Sequence, residues 1–415
     1  MGNTQSSSNN SKSKNDNREL YKITTTNTSS TTTNTLNYIN FPILTHQDTI
    51  SFVQRNKIMV ILKGLPGSGK TFTSEQLKRV YPNAIICSAY KYFLDGNDVH
   101  DSRRLCQKDA ENAAQRNERI IIIDNDNIKC WEVCQYTRIC RKYNYFVLCL
   151  ETQTPWRFDV SKLITLSSRS SILNENILNR YVKEYESPSS IYCAWFFNEA
   201  DSRKISDIAE GYLEKAFLEI DNFSHQFRDY SRKKLILHVT ACYGNNLQTK
   251  KYMGRCYPIH IIGYVITPDT FGARVKLTEE QLELWDIDDN EQRPKSKFLP
   301  DHYNKPLPEI FNNNNEEEDR IQIVNQEEEE EEKDTFSPKG SRAHITIGTD
   351  PKIKPVITGF DLMDIVYCEK HYKNDNIPTY TLSDGSVLKC YGNERWVIYP
   401  KTKLIAESFF TAWYK

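Results

Sequence analysis

Runs of apolar positions divide the chain before any motif is considered. Lys57 to Leu62 is a short apolar run ending at a glycine-rich turn, which predicts a buried strand. Helical spacing follows from Thr71 to Val80, and Ile120 to Ile123 is a second apolar, β-branched run. A helix extends to about Tyr143, and Phe146 to Leu150 reads as a third strand. Strands alternating with helices predict an α/β domain built on a parallel sheet with flanking helices. Leu163 to Phe227 has mainly helical spacing and closes this domain, with a boundary near Asp229 to Lys234. Beyond it, short strands are predicted at Leu235 to Thr240, Ile259 to Thr267, Ala273 to Leu277, Ala343 to Ile347 and Trp396 to Tyr399. Long loops and at least two helices separate them, the pattern of an α+β domain.

Two segments lack the apolar content to join either core. Residues from Ser6 to about Asn37 are almost entirely Ser, Thr and Asn, so a disordered tail is expected over 1–40. A Glu- and Asn-rich stretch at about 287–338 contains the run Glu327 to Glu332, whose like charges repel, and is expected to be a disordered insertion. The expected domains are therefore 41–230 and 231–415. A total of 54 Lys and Arg against 55 Asp and Glu argues against a strongly basic nucleic-acid binder and against an acidic solvating protein. Any phosphate recognition must be local.

Eleven cysteines without a repeated spacing argue against a fully paired disulfide framework and fit a reducing, cytoplasmic setting. Cys130, Cys134, Cys140 and Cys149 lack the close C-x2-C pairs of a zinc site and read as ordinary thiols. No apolar run approaches the ~20 residues of a membrane span. Met1 to Ser6 fits M-G-x-x-x-[ST], which predicts N-myristoylation at Gly2. One acyl chain binds a bilayer only marginally, and Lys12, Lys14, Arg18 and Lys22 add a thin basic supplement. Reversible, peripheral membrane attachment is the expectation.

Gly64 to Thr71 satisfies G-x-x-x-x-G-K-[ST] between a predicted strand and a predicted helix. Gly64, Gly67, Ser68 and Gly69 would wrap a phosphate with backbone N–H groups, Lys70 would supply charge, and Thr71 a hydroxyl for Mg²⁺. Asp124, directly after the Ile120 to Ile123 run, is the candidate partner carboxylate, with Asp126 close by. ATP with Mg²⁺ is the ligand this loop implies. Either aspartate would also serve as a helix N-cap.

His238-Val239-Thr240 and His344-Ile345-Thr346 repeat one tripeptide in two apolar strands. Alternation puts each His and Thr on one strand face with the aliphatic residue on the other. One neutral imidazole could take a proton from water while a charged one gives a proton to a leaving ribose oxygen, chemistry that needs no metal. Thr240 and Thr346 could donate to the non-bridging oxygens of a phosphorane-like transition state. Arg342, two residues before His344, is a candidate phosphate-binding charge.

With these motifs in order, and with Ser341 to Thr346, Thr358 to Leu362 (TGFDL), Phe271 to Trp285 (FGARVKLTEEQLELW), Ser88 to Lys91 (SAYK) and Thr154 to Asp159 (TPWRFD), the chain resembles a known family. It is similar to the 2′,3′-cyclic nucleotide 3′-phosphodiesterases, two-histidine phosphoesterases with an N-terminal polynucleotide-kinase-like P-loop domain, over roughly residues 57 to 411 apart from the insertion. The resemblance implies hydrolysis of nucleoside 2′,3′-cyclic phosphates, free or at RNA 3′ ends, to 2′-phosphates through His238, Thr240, His344 and Thr346. It also implies an aromatic contact to the base, for which Tyr243 is the nearest candidate.

Two departures bear on function. Ser88 stands where the family has an aspartate, and a serine does not accept a proton near neutral pH, which counts against kinase chemistry. Ala412 to Lys415 contains no C-a-a-X cysteine of the kind the vertebrate members carry. Two other classes remain open on sequence, an RNA end-processing kinase and a membrane-attached RNA or cytoskeleton scaffold. Oligomeric state is not indicated.

Overall fold

The computed structural model describes residues 40–167, 173–221, 223, 230, 236–244, 248–290, 338–371 and 377–414. Gly2, the polar tail and most of the acidic insertion lie outside the described residues.

Helix α1 (Gln47–Arg55) leads into β1 (Ile58–Lys63), every residue of which is buried. A glycine-rich loop connects β1 to α2 (Lys70–Val80), followed by β2 (Ile85–Cys87), α3 (Ala89–Leu94) and α4 (Val99–Gln115). Then come β3 (Ile120–Ile123), α5 (Cys130–Tyr143), β4 (Phe146–Glu151), α6 (Val160–Leu166) and α7 (Glu175–Lys183). The four strands form one parallel sheet in the order β2-β3-β1-β4. Because helices cover both faces, its central strands are continuous apolar runs rather than alternating ones. This is the parallel, helix-flanked sheet expected of the first half.

The next strand was not anticipated. β5 (Ser190–Phe196) interrupts a stretch with mainly helical spacing, and it belongs to a second, antiparallel sheet. Its last four residues are all buried, so the segment carries a solid apolar run whose period separates strand from helix poorly. Helix α8 (Glu199–Glu219) follows, capped by the Asn198 side chain. The sheet continues with β6 (His238–Tyr243), β7 (Arg255–Ile266), β8 (Thr270–Lys276), helix α9 (Glu279–Leu284), β9 (His344–Thr349) and helix α10 (Ile357–His371). Strands β10 (Thr379–Thr381), β11 (Val387–Cys390), β12 (Trp396–Tyr399) and β13 (Leu404–Tyr414) complete it.

All pairings in this sheet are antiparallel, along the path β10-β11-β12-β7-β13-β5-β6, with β8 on β7 and β9 on β8. The long strand β7 pairs with β13 through Arg255–Ile261 and with β12 through Tyr264–Ile266, while β8 takes its other side. The outer strands β6 and β9 curl toward one another, with Cα atoms within 8 Å, and the Asp286 N–H donates to Ala241 O at 2.9 Å. Their inward residues Val239, Ala241, Ile345 and Ile347 share a core with Leu213 and Ala209 of α8.

The two sheets are joined through aromatic packing. Phe409 of β13 stacks on Phe52 of α1 at 5.6 Å and lies 5.4 Å from Phe146 of β4. Among the described residues, no helix is long and apolar enough to cross a membrane.

Candidate active site

Alternation on β6 and β9 separates the two tripeptides as expected. Val239 and Ile345 have no exposed surface, whereas His238, Thr240, His344 and Thr346 are half-buried on the opposite face. The two strands are not ladder partners. They belong to opposite ends of the curled sheet, and that curl brings the motifs together.

Each imidazole is anchored in the same way. His238 Nδ1 lies 2.8 Å from Ile236 O and His344 Nδ1 lies 2.7 Å from Arg342 O, in both cases the carbonyl two residues back. A carbonyl only accepts, so each Nδ1 is the protonated nitrogen and each Nε2 is left to act on a ligand. Burial pulls the His238 pKa below the ordinary histidine range, against the carbonyl bond. Burial likewise brings His344 down to about 4, with the charges of Arg342 and His238 adding to the effect against its own carbonyl bond. The charge of His238 thus reaches His344.

Several neighbours were not legible in sequence. Tyr192 of β5 stacks on His238 at 5.1 Å and 13°, and Phe196 lies 5.2 Å from it. Trp413 of β13 stacks on Tyr192 at 6.3 Å, and the Arg141 guanidinium of α5 lies 4.7 Å from the Trp413 ring. This column links the parallel-sheet half to His238. Around the other imidazole, a Cβ added at Gly359 of α10 would come within 2.9 Å of His344 Cε1, so the helix packs directly on the ring. Thr346 Oγ1 is 3.0 Å from Thr358 Oγ1 and 3.1 Å from Pro355 O. Thr358 and Gly359 open the TGFDL segment, whose own periodicity did not reveal that it covers β9.

Tyr243 is 57% exposed, at the end of β6. The ladder runs Thr240↔Ala194, Cys242↔Cys193 and Tyr243↔Tyr192, leaving Ala241 as an extra residue. That bulge reverses the alternation and returns Tyr243 to the face of His238 and Thr240. Arg342 is placed differently from its expected role. It is 4% exposed, its Nη1 donates to Asp288 O at 2.8 Å, and its guanidinium lies 4.8 Å from the Phe360 ring of α10. It sits behind His344 and acts on the imidazole through its charge and carbonyl.

The glycine-rich loop forms a separate feature at the C-terminal end of β1. Gly67 has φ +80°, and a Cβ there would meet Leu163 O at 2.3 Å, so only glycine fits this turn. Lys70 Nζ donates to Leu65 O and pairs with Asp126, both at 2.9 Å. Asp124 accepts from Ser74 Oγ at 3.3 Å and from the Thr71 hydroxyl; burial holds its pKa above the usual carboxylate range, against the pull of Lys70 and these hydroxyls. Ser68 Oγ is buried with no hydrogen-bond partner among the described residues. Ser88 donates to Asp124 O at 3.1 Å. Among the described residues, no cluster of three or more His, Cys, Asp or Glu side chains is grouped as metal ligands.

A sequence model of the family described as 2′,3′-cyclic nucleotide 3′-phosphodiesterase matches residues 193–304 and 314–415. The chain belongs to this family. The phosphodiesterase match begins inside β5 and includes β6, β9 and the strands between them. The 2′,3′-cyclic-nucleotide 3′-phosphodiesterase of Pongo abelii is 26% identical over 414 residues, covering 91% of this chain and 87% of the relative. That of Rattus norvegicus is 25% identical over 411 residues with the same coverage. A shorter likeness, 35% over 113 residues, is to human NEDD4-binding protein 2, covering 26% of this chain and 6% of that protein.

Proposed function

We propose that this protein hydrolyses nucleoside 2′,3′-cyclic phosphates, free or at RNA 3′ ends, to 2′-phosphates in the cleft between β6 and β9. The observation that carries the reading is the pair of half-buried imidazoles, each anchored at Nδ1, on two strands whose Cα atoms come within 8 Å, with the charge of His238 acting on His344. Family membership over both strands points to the same substrate.

Hydrolysis needs one proton removed and one delivered. A neutral Nε2 on one histidine takes a proton from water as its oxygen attacks phosphorus. The P–O3′ bond breaks, and the other histidine, as imidazolium, gives its Nε2 proton to the departing O3′. Thr240 and Thr346 donate to the non-bridging oxygens, where negative charge grows. Tyr243 lies on the same face for contact with the base, and Arg342 orients and tunes His344 from behind. Two imidazoles thus cover both proton transfers, and turnover should be insensitive to a chelator.

The glycine-rich loop supports a second ligand, ATP with Mg²⁺, in the first domain. Gly64, Gly67 and Gly69 shape the loop, Ser68 Oγ lies buried within it, and Thr71 stands beside Asp124 as a hydroxyl–carboxylate pair suited to a hard cation. Magnesium there would neutralise phosphate charge, while Lys70 would exchange Asp126 for a phosphate oxygen. Acylation at Gly2, supported by the Met1 to Ser6 pattern, would attach the protein peripherally to membranes.

The test is turnover of 2′,3′-cyclic AMP with identification of the product isomer. Wild type should yield the 2′-phosphate with or without EDTA. His238→Ala and His344→Ala should each lower kcat by at least ~100-fold with KM little changed. A 3′-phosphate product, or full turnover in either variant, would reject the mechanism.

A further inference from the structure

The strands of the cleft carry a pair of nucleophilic groups that hydrolysis does not use. Cys193 of β5 and Cys242 of β6 are register partners in the antiparallel ladder, the one cysteine pair that shares such a position among the described residues. All eleven cysteines of the chain are free thiols. Both members of this pair are buried in one core, on the sheet face away from His238. A buried thiol is ordinarily inert packing. Distance, charge and access set this pair apart.

Partners in an antiparallel ladder stand ~4.5–5.5 Å apart at Cα, inside the ~4.4–6.8 Å that a disulfide spans. The Cys242 thiol donates a hydrogen bond to the Cys193 sulfur, so the two sulfurs already face one another. That bond draws the Cys193 thiol below the ordinary range against burial, whereas burial pushes Cys106 up to about 11 and Cys87 and Cys149 up to about 12. The Thr249 hydroxyl lies 4.0 Å from the same sulfur. A cavity of about 50 Å³ between β4, β5 and β13 is lined by Cys193. A water needs only ~10–15 Å³ of such space, so a peroxide-sized molecule has room. Cys242 is not part of that wall, so Cys193 is the sulfur an oxidant meets first.

We propose that Cys193 and Cys242 form a reversible disulfide in response to hydrogen peroxide, and that the bond lowers turnover by drawing β5 and β6 together beside the Ala241 bulge. The Cys193 thiolate attacks one peroxide oxygen. An S–O bond forms as the O–O bond breaks, and the departing hydroxide takes the proton that Cys193 released and leaves as water. The Cys242 sulfur then attacks the sulfenic sulfur of Cys193. The S–S bond forms, the S–O bond breaks, and the hydroxide leaves as a second water with the Cys242 proton. Peroxide gains the two electrons that the thiol pair loses.

A disulfide holds its Cβ atoms ~3.8 Å apart, closer than the ~4.5–5.5 Å of cross-strand partners. Tyr192 directly precedes Cys193 and stacks on His238, and Tyr243 directly follows Cys242 on the same face. The contraction therefore reaches both rings of the cleft. Formation of the bond does not depend on the hydrolytic reading, whereas its effect on turnover rests on that reading.

The experiment treats the full chain, first reduced and freed of reductant, with hydrogen peroxide. Peptide mapping by mass spectrometry, with remaining thiols blocked, should find the Cys193 peptide joined to the Cys242 peptide, and dithiothreitol should release them. Turnover of 2′,3′-cyclic AMP should fall by ~10-fold and return with dithiothreitol, since a displacement of ~1 Å near reacting groups costs up to ~100-fold. Cys193→Ser should form no link and keep its turnover under peroxide. Cys242→Ser should leave a sulfenic acid on Cys193 that dimedone traps. No link between these two cysteines in wild type, a link from Cys193 to Cys149 instead, a link that forms only in denaturant, or unchanged turnover in the linked protein would overturn the proposal. Mapping is made on wild type, so it decides the disulfide even where a serine variant fails to fold. Reduced wild type without turnover would count against the hydrolytic mechanism, and mapping would still decide the bond.

Discussion

The carbonyls of Ile236 and Arg342 determine what each imidazole of the cleft can do. By accepting from each Nδ1–H they leave two Nε2 atoms toward the ligand, and burial disfavours the charged form of both rings. In the proposed mechanism one histidine must carry a proton as general acid, which burial of the free protein disfavours. An anionic cyclic phosphate corrects this, because negative charge beside an imidazolium raises its pKa. The basic limb of kcat, which reports the complex, should therefore lie at higher pH than the basic limb of kcat/KM, which reports the free enzyme. Steady-state profiles across pH 4 to 9, a range of ~5 units, would test this. Coincident limbs would show that the substrate does not set the protonation.

Single elements depend on close approaches that side chains alone would not allow. Gly272 of β8 faces β9 and α10 so tightly that a Cβ would stand 2.6 Å from Thr358 Cγ2 and 2.8 Å from Ile345 O. The second neighbour is backbone, so β9 itself would have to move. Gly272→Ala should cost ~1–3 kcal/mol, as overpacking does. It should also lower kcat, because the Thr346–Thr358 contact at 3.0 Å sits on the displaced segment. Denaturant midpoints and cyclic AMP turnover would measure both, and a variant indistinguishable from wild type would remove the argument. Helix α10 is otherwise well anchored, since Asp361 accepts from Thr267 Oγ1 at 3.0 Å and Thr270 Oγ1 at 2.6 Å.

At the scale of the whole molecule, the two sheets share an apolar contact centred on Phe409, which has no exposed surface and touches Phe52 and Phe146. Thr411 adds a hydrogen bond to Val147 O, and Arg141 one to Tyr414 O. Phe409→Ala would leave a cavity where α1, β4 and β13 meet, and should destabilise the protein by ~3–5 kcal/mol. Chemical denaturation would read the loss. A change below ~1 kcal/mol would mean that the surrounding rings collapse into the gap or that the contact contributes little. The same junction carries the column from Arg141 through Trp413 and Tyr192 to His238, so the parallel-sheet half helps to seat that imidazole.

Local pattern alone determined the apolar strands Ile58–Lys63 and Ile120–Ile123, the glycine-rich turn between strand and helix, and the orientation of His238 and His344 away from Val239 and Ile345. These follow from steric and burial rules acting over a few residues. Tertiary structure decided the rest. It made Ser190–Phe196 a strand beside β6 and inserted the Ala241 bulge that turns Tyr243 to the imidazole face. It also buried Arg342 beneath α10 and curled the sheet until β6 met β9. Periodicity reports which face of a segment is apolar but not which distant segment will cover it. Partner and register are chosen by packing among parts of the chain that meet only when it folds.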